Sequence, residues 1–218
     1  MANRSIQSGR RYVLAFIIGT TLFLGGFLIV NSLSYLEYQR ISNLQDRLAY
    51  KIFEDKLKYL LFGQEICSDD AYIKISEDLG FQGKIIDDLE RKFGKDDTRV
   101  LERKKFYSLI LLEHFEFVNL INQECGDNIH TILFFYSNEP KYLTQSEDLG
   151  RMLGTVYGRN DNLVIYSFDV DLDSDIIRDL KKKYFIQEPL EILIDGEVKL
   201  KDIKSIDEIE RYLEYIKE

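Results

Sequence analysis

From Tyr12 to Val30 the chain runs for 19 residues without a charge, YVLAFIIGTTLFLGGFLIV, built mostly of Leu, Ile, Phe, Val and Gly. A run of this length spans a bilayer as a helix, which closes its backbone hydrogen bonds within the segment. A soluble fold would have to bury it on every side, and a chain that is 31% charged offers no comparably apolar partner. The run passes into NSLSYLEYQR rather than into the small residues of a cleavage site, so it reads as an uncleaved signal anchor. Arg4, Arg10 and Arg11 precede it with no acidic residue among the first 36, whereas Arg40 and Arg47 follow it beside Glu37 and Asp46. Basic residues stay on the cytoplasmic side, so the expected topology is a single pass through the cell membrane with the bulk of the chain extracytoplasmic.

Of the 29 Lys and Arg, setting aside those three arginines leaves 26 against 38 Asp and Glu, a net −12 beyond the span. That balance argues against nucleic acid as a partner. The bilayer, contacted through residues 12–30, is the partner the residues declare, and another protein or peptide is the further one expected.

Four parts follow from the patterning: a tail, 1–11; a transmembrane helix, 12–33; a helical segment, 34–126; and a C-terminal domain, 127–218. In the helical segment Ile41, Leu44, Leu48, Ile52, Leu57, Leu60 and Leu61 fall at helical spacing over Ser34 to Gln64. The repeat is too short for a sustained coiled coil, so packing against its own chain is the expected use. A less regular stretch, Ser68 to Asp97, is interrupted by Gly80, Gly83 and Gly94, and a second strong helix runs from Arg99 to Gln123. The expected arrangement is a helical hairpin with a short helical connector. Cys67 and Cys125 stand just past its two helix ends and are a candidate disulfide, provided that this part lies outside the cytoplasm. With His114 and His130 they do not match zinc-ligand spacing, and no metal or cofactor is expected.

After Cys125 the period changes. Thr131 to Ser137 (TILFFYS) and Leu163 to Phe168 (LVIYSF) read as strands buried on both faces, with the helical pattern Leu143 to Tyr157 between them, a βαβ unit. A helix capped near Asp173 or Ser174 runs to Lys183. The strands Leu190 to Ile194 and Glu197 to Leu200 are joined by Asp195 and Gly196, a tight-hairpin dipeptide, and Ile206 to Ile216 forms a last helix. The alternating Asp169, Asp171, Asp173 and Asp175 lack the Gly and the closing Glu of a calcium loop, since Leu180 holds the twelfth position. They are read as a strand end and a helix cap.

The fold class is α/β, with a mixed four-stranded sheet in the order β-α-β-α-β-β-α. This order resembles the core of the thioredoxin superfamily over about residues 129 to 218. Pro189, in IQEPLEILIDG, stands where that family places a cis-proline before its hairpin. The resemblance puts Leu143, Thr144, Gln145 and Ser146 at the C-x-x-C position, where they supply no sulfur. It therefore implies a domain without thiol chemistry, in which a groove formed by these four residues with Glu188 and Pro189 holds an extended peptide. Ser146 has neither base nor oxyanion site beside it in sequence and is read as a capping or solvent-facing residue, and no other catalytic constellation is recognisable. Two alternatives remain at this stage: a thiol-disulfide oxidoreductase using Cys67 and Cys125, and a structural membrane assembly protein.

Overall fold

The computed structural model describes residues 3–62, 67, 71–126 and 128–215 and contains two compact units, Met1–Leu44 and Gln45–Glu218. The helix α1 covers Asn3–Phe62, and its apolar stretch is long enough and apolar enough to cross a membrane. Phe16, Leu22 and Phe23 there leave about three quarters of their surface open.

In the second unit the remainder of α1 is followed by α2 (Ala71–Phe93), α3 (Thr98–Cys125), β1 (His130–Tyr136), α4 (Leu143–Tyr157), β2 (Leu163–Asp169), α5 (Asp175–Lys183), β3 (Glu191–Ile194), β4 (Val198–Leu200) and α6 (Ile206–Tyr215). The less regular stretch, expected as a short helical connector, is thus one continuous helix of 23 residues. Ile75, Leu79, Gln82, Ile86 and Leu89 recur on its buried face, and this stripe outweighs the two interior glycines. Only Gly94, at φ 93°, ends it.

The four strands form one mixed sheet in the order β2-β1-β3-β4, with β1 parallel to β2 and antiparallel to β3, and β3 antiparallel to β4. Both faces are covered. Leu133, Phe135, Tyr166, Phe168 and Leu193 point to one side, where they share a core with Leu48 and Ile52 of α1, Ile75 and Leu79 of α2, Phe115 and Val118 of α3, and Ile177 and Leu180 of α5. Ile132, Phe134, Leu163, Ile192 and Ile194 point to the other and meet Leu149 and Leu153 of α4 and Ile209 and Leu213 of α6. The period-2 alternation, in register across β1 and β2, assigns each side chain to its face. Helices 1 to 3 are therefore packed on the sheet itself from Gln45 onward.

The hairpin turn adopts positive φ at Asp195 (51°) and Gly196 (73°), as its sequence requires. Asp195 also reaches back to β1, accepting bonds from the Thr131 amide (2.6 Å) and pairing with Nδ1 of His130 (2.8 Å). Cys67 and Cys125 are joined by a disulfide, their Cα atoms 5.3 Å apart.

Candidate functional site

The chain polarity brings the ends of β1 and β2 together beside the start of α4. Ser137, just beyond β1, is wholly buried. Its hydroxyl donates to Asp171 Oδ2 (2.8 Å) and accepts from the Glu139 amide (3.1 Å). Ser146, in the first turn of α4, donates its hydroxyl to the Ser137 carbonyl (2.9 Å) and accepts from the Ser137 amide (3.2 Å). Asn138 donates its amide to Asp171 (2.7 Å) and its side-chain nitrogen to Asp169 (2.8 Å), and it accepts from Lys95 (2.7 Å). Ser146 is thus a buried tie between α4 and the loop after β1, not a solvent-facing residue.

Below this loop Lys104 of α3 is 4% exposed and bridges Asp169 and Glu90, the latter at 2.6 Å. Burial opposes its charge, but Tyr136 and Asp169, with the hydrogen bonds to Asp169 and Glu90, hold its pKa above the ordinary lysine range. Burial pushes the Tyr136 phenol up, Lys104 pulls it down, and the carboxylates of Asp169 and Glu90 add to the rise. This cluster was missed in the sequence, although Val100, Lys104, Ser108, Leu111 and Phe115 repeat at helical spacing and a lysine on such a stripe is a signal.

The residues at the expected peptide groove separate into two places. Leu143 and Ser146 line a groove of about 1030 Å³ bounded by α2, α4 and the outer edge of β2. Thr144 and Gln145 are exposed on α4. Glu188 is exposed and Pro189 half-buried before β3, at the same end of the sheet but on the far side of β1. No peptide bond among the described residues is cis, so Pro189 is trans. Leu190 makes the turn instead, at φ 71°, and its amide donates to the Phe135 carbonyl at 2.7 Å.

Neither serine hydroxyl has a histidine among its hydrogen-bond partners, and each is committed to the loop. Among the described residues no group of three His, Cys, Asp or Glu is placed to hold a metal ion. What the arrangement offers is a groove with apolar walls, Phe81 and Tyr157 being half exposed at its sides, and a rigid, internally paired polar floor. The chain matches no protein-family model and no curated protein sequence.

Proposed function

We propose that this chain is a membrane-anchored, thioredoxin-like domain without thiol chemistry that holds an extended peptide or protein segment. The element order β-α-β-α-β-β-α and the sheet order β2-β1-β3-β4, with the first pair parallel and the rest antiparallel, support the fold reading. Leu143 to Ser146 stand at the head of α4 without a sulfur atom, and the two cysteines are bonded to each other elsewhere. A thiolate at that helix end is what the redox chemistry of such a domain requires.

The observation that carries the binding role is the groove beside α4, whose dimensions suit a chain segment and whose floor spends its polar groups on itself. The apolar run of α1 supplies the anchor, and the basic tail together with the disulfide supports an extracytoplasmic domain. Two experiments on the full chain in lipid nanodiscs test the reading. Panning a phage-displayed library of random peptides should enrich clones over empty nanodiscs, and insulin reduction should stay at background. No enrichment sinks the binding role. Insulin reduction that persists when Cys67 and Cys125 are both replaced by serine sinks the redox-inactive one.

A further inference from the structure

Strand β2 is an outer strand of the sheet, paired with β1 alone. The His130 amide donates to the Asn162 carbonyl and the Val170 amide to the Tyr136 carbonyl, so the even-numbered residues of β2 turn their backbone toward β1. Leu163, Ile165 and Ser167 then turn their N–H and C=O groups the opposite way. Ile165 and Ser167 line the groove, and among the described residues no hydrogen bond reaches their backbone. A free edge of this kind is a template for another strand unless it is blunted. Here no Pro, Lys or bulge blunts it.

The helices on either side are cut back where a strand would lie. Gly80 and Gly83 of α2 and Gly150 and Gly154 of α4 all line the groove. Glycine is, after proline, the least favourable residue inside a helix, so four of them facing one groove call for a reason. Gly83 has a local one, because a Cβ there would meet the Tyr107 hydroxyl at 3.2 Å. A Cβ at Gly80 or Gly154 would meet nothing within 4 Å, so these two positions leave open space rather than relieve a clash. The rim carries Glu77 and Asp87 on α2 and Glu147 on α4, none of them in an ion pair among the described residues, against Lys84 and Lys95, while Arg91 beside them pairs with Asp88. A rim with one acidic charge in excess, over apolar walls, suits a segment that carries apolar side chains and a basic one.

We infer that the outer edge of β2 receives an extended segment of a partner protein, with apolar side chains and a basic one, as a fifth strand between α2 and α4. This inference rests on the peptide-binding reading and names the site and the chemistry of its ligand. Main-chain hydrogen bonds to Ile165 and Ser167 would hold the segment, and its side chains would alternate between the α2 and α4 walls.

The test uses the full chain in nanodiscs and a fluorescein-labelled nonapeptide of alternating valine and lysine, read by fluorescence anisotropy. Two further peptides are N-methylated on alternate residues, one in each phase. A strand bonded along one edge loses the donors of only one phase, so one methylated peptide should bind about tenfold more weakly and the other like the parent. Gly154→Leu, which fills open space, should weaken the parent peptide by at least that factor, and glutamate in place of lysine in the probe should do the same. Residue-resolved amide exchange needs no variant: Ile165 and Ser167 should exchange fast in the free protein and slowly with peptide bound.

Equal binding of both methylated peptides, or unchanged exchange at Ile165 and Ser167, overturns the edge assignment. If panned clones nevertheless bind, the module reading stands without it. A wild-type dimer that Gly154→Leu converts to monomer would assign the edge to a second copy of the chain and overturn the partner segment.

Discussion

Lys104 shows what one residue holds together in this unit. It stands on α3 and bridges Glu90 of α2 to Asp169 at the end of β2, nearly sealed from solvent. An ion pair so placed gains little net stability over an apolar replacement of the whole group, but removing one member strands the others without compensation. Lys104→Met should therefore cost about 3–5 kcal/mol in chemical denaturation of the chain in detergent, and neutralising Glu90 and Asp169 together with it should recover part of the loss. A loss below about 1 kcal/mol would mean that the two carboxylates find water when the lysine is gone. The same scale marks where a single sequence is hard to read. Nothing in IQEPLEILIDG distinguishes a cis from a trans Pro189; the trans bond and the positive φ at Leu190 depend on the partner at the Phe135 carbonyl, which only the folded sheet supplies. Asp195 was legible as a turn residue from the dipeptide it shares with Gly196. Its bonds to Thr131 and His130, 64 and 65 positions away, were not.

Among the elements, those with a strong period were readable, α4 despite its glycines at 150 and 154, whereas the length and continuity of α2 were not. The strands β1 and β2 match their apolar runs to within a residue, and α4 begins at Leu143 and ends at Tyr157 as its pattern requires. In α2 the glycines at 80 and 83 look like breaks, because propensity counts against them while the buried stripe from Ile75 to Leu89 becomes visible only beside α3. The disulfide ties the connection before α2 to the last residue of α3, closing a separation of 58 residues. On the chain-entropy model its reduction should lower stability by about 4 kcal/mol, measured as the shift in denaturation midpoint with and without dithiothreitol. At the head of α3, Asp97 caps the helix through the Arg99 amide at 2.9 Å. The Arg99 side chain above all holds its carboxyl at about 2; burial opposes this, and the Arg99 amide adds to the pull. Its folded pKa is depressed, so its contribution is complete above the unfolded value near 4 and is lost as pH falls through about 2. Thermal melts of the wild type and Asp97→Ala should thus differ by a constant amount above about pH 5 and converge toward pH 2.

For the molecule as a whole, the decisive prediction concerns the side of the membrane on which the second unit lies. The apolar run of α1 could be recognised from the sequence because its physics is local: length and lack of charge suffice. Which end stays inside depends on Arg4, Arg10 and Arg11 competing with Arg40 and Arg47, a difference of one basic residue reinforced by Glu37 and Asp46 on the far flank. The disulfide adds an independent argument, since a bond between an exposed Cys67 and a half-buried Cys125 would be reduced by the glutathione pool of a cytosol. A net charge of −12 beyond the span brings no added attraction to an anionic inner leaflet. On these arguments the second unit is predicted to lie outside the cytoplasm. Protease added to intact cells, stripped of any wall or outer membrane, should remove an epitope tag placed at the C-terminus and leave one at the N-terminus untouched. Exchanging the flanks, with Arg4, Arg10 and Arg11 replaced by serine and Glu37 and Asp46 by lysine, should protect the C-terminal tag in a growing share of molecules. Protection of that tag in the unaltered chain, with digestion only after lysis, would reverse the topology and make a disulfide between Cys67 and Cys125 depend on some other source of oxidation.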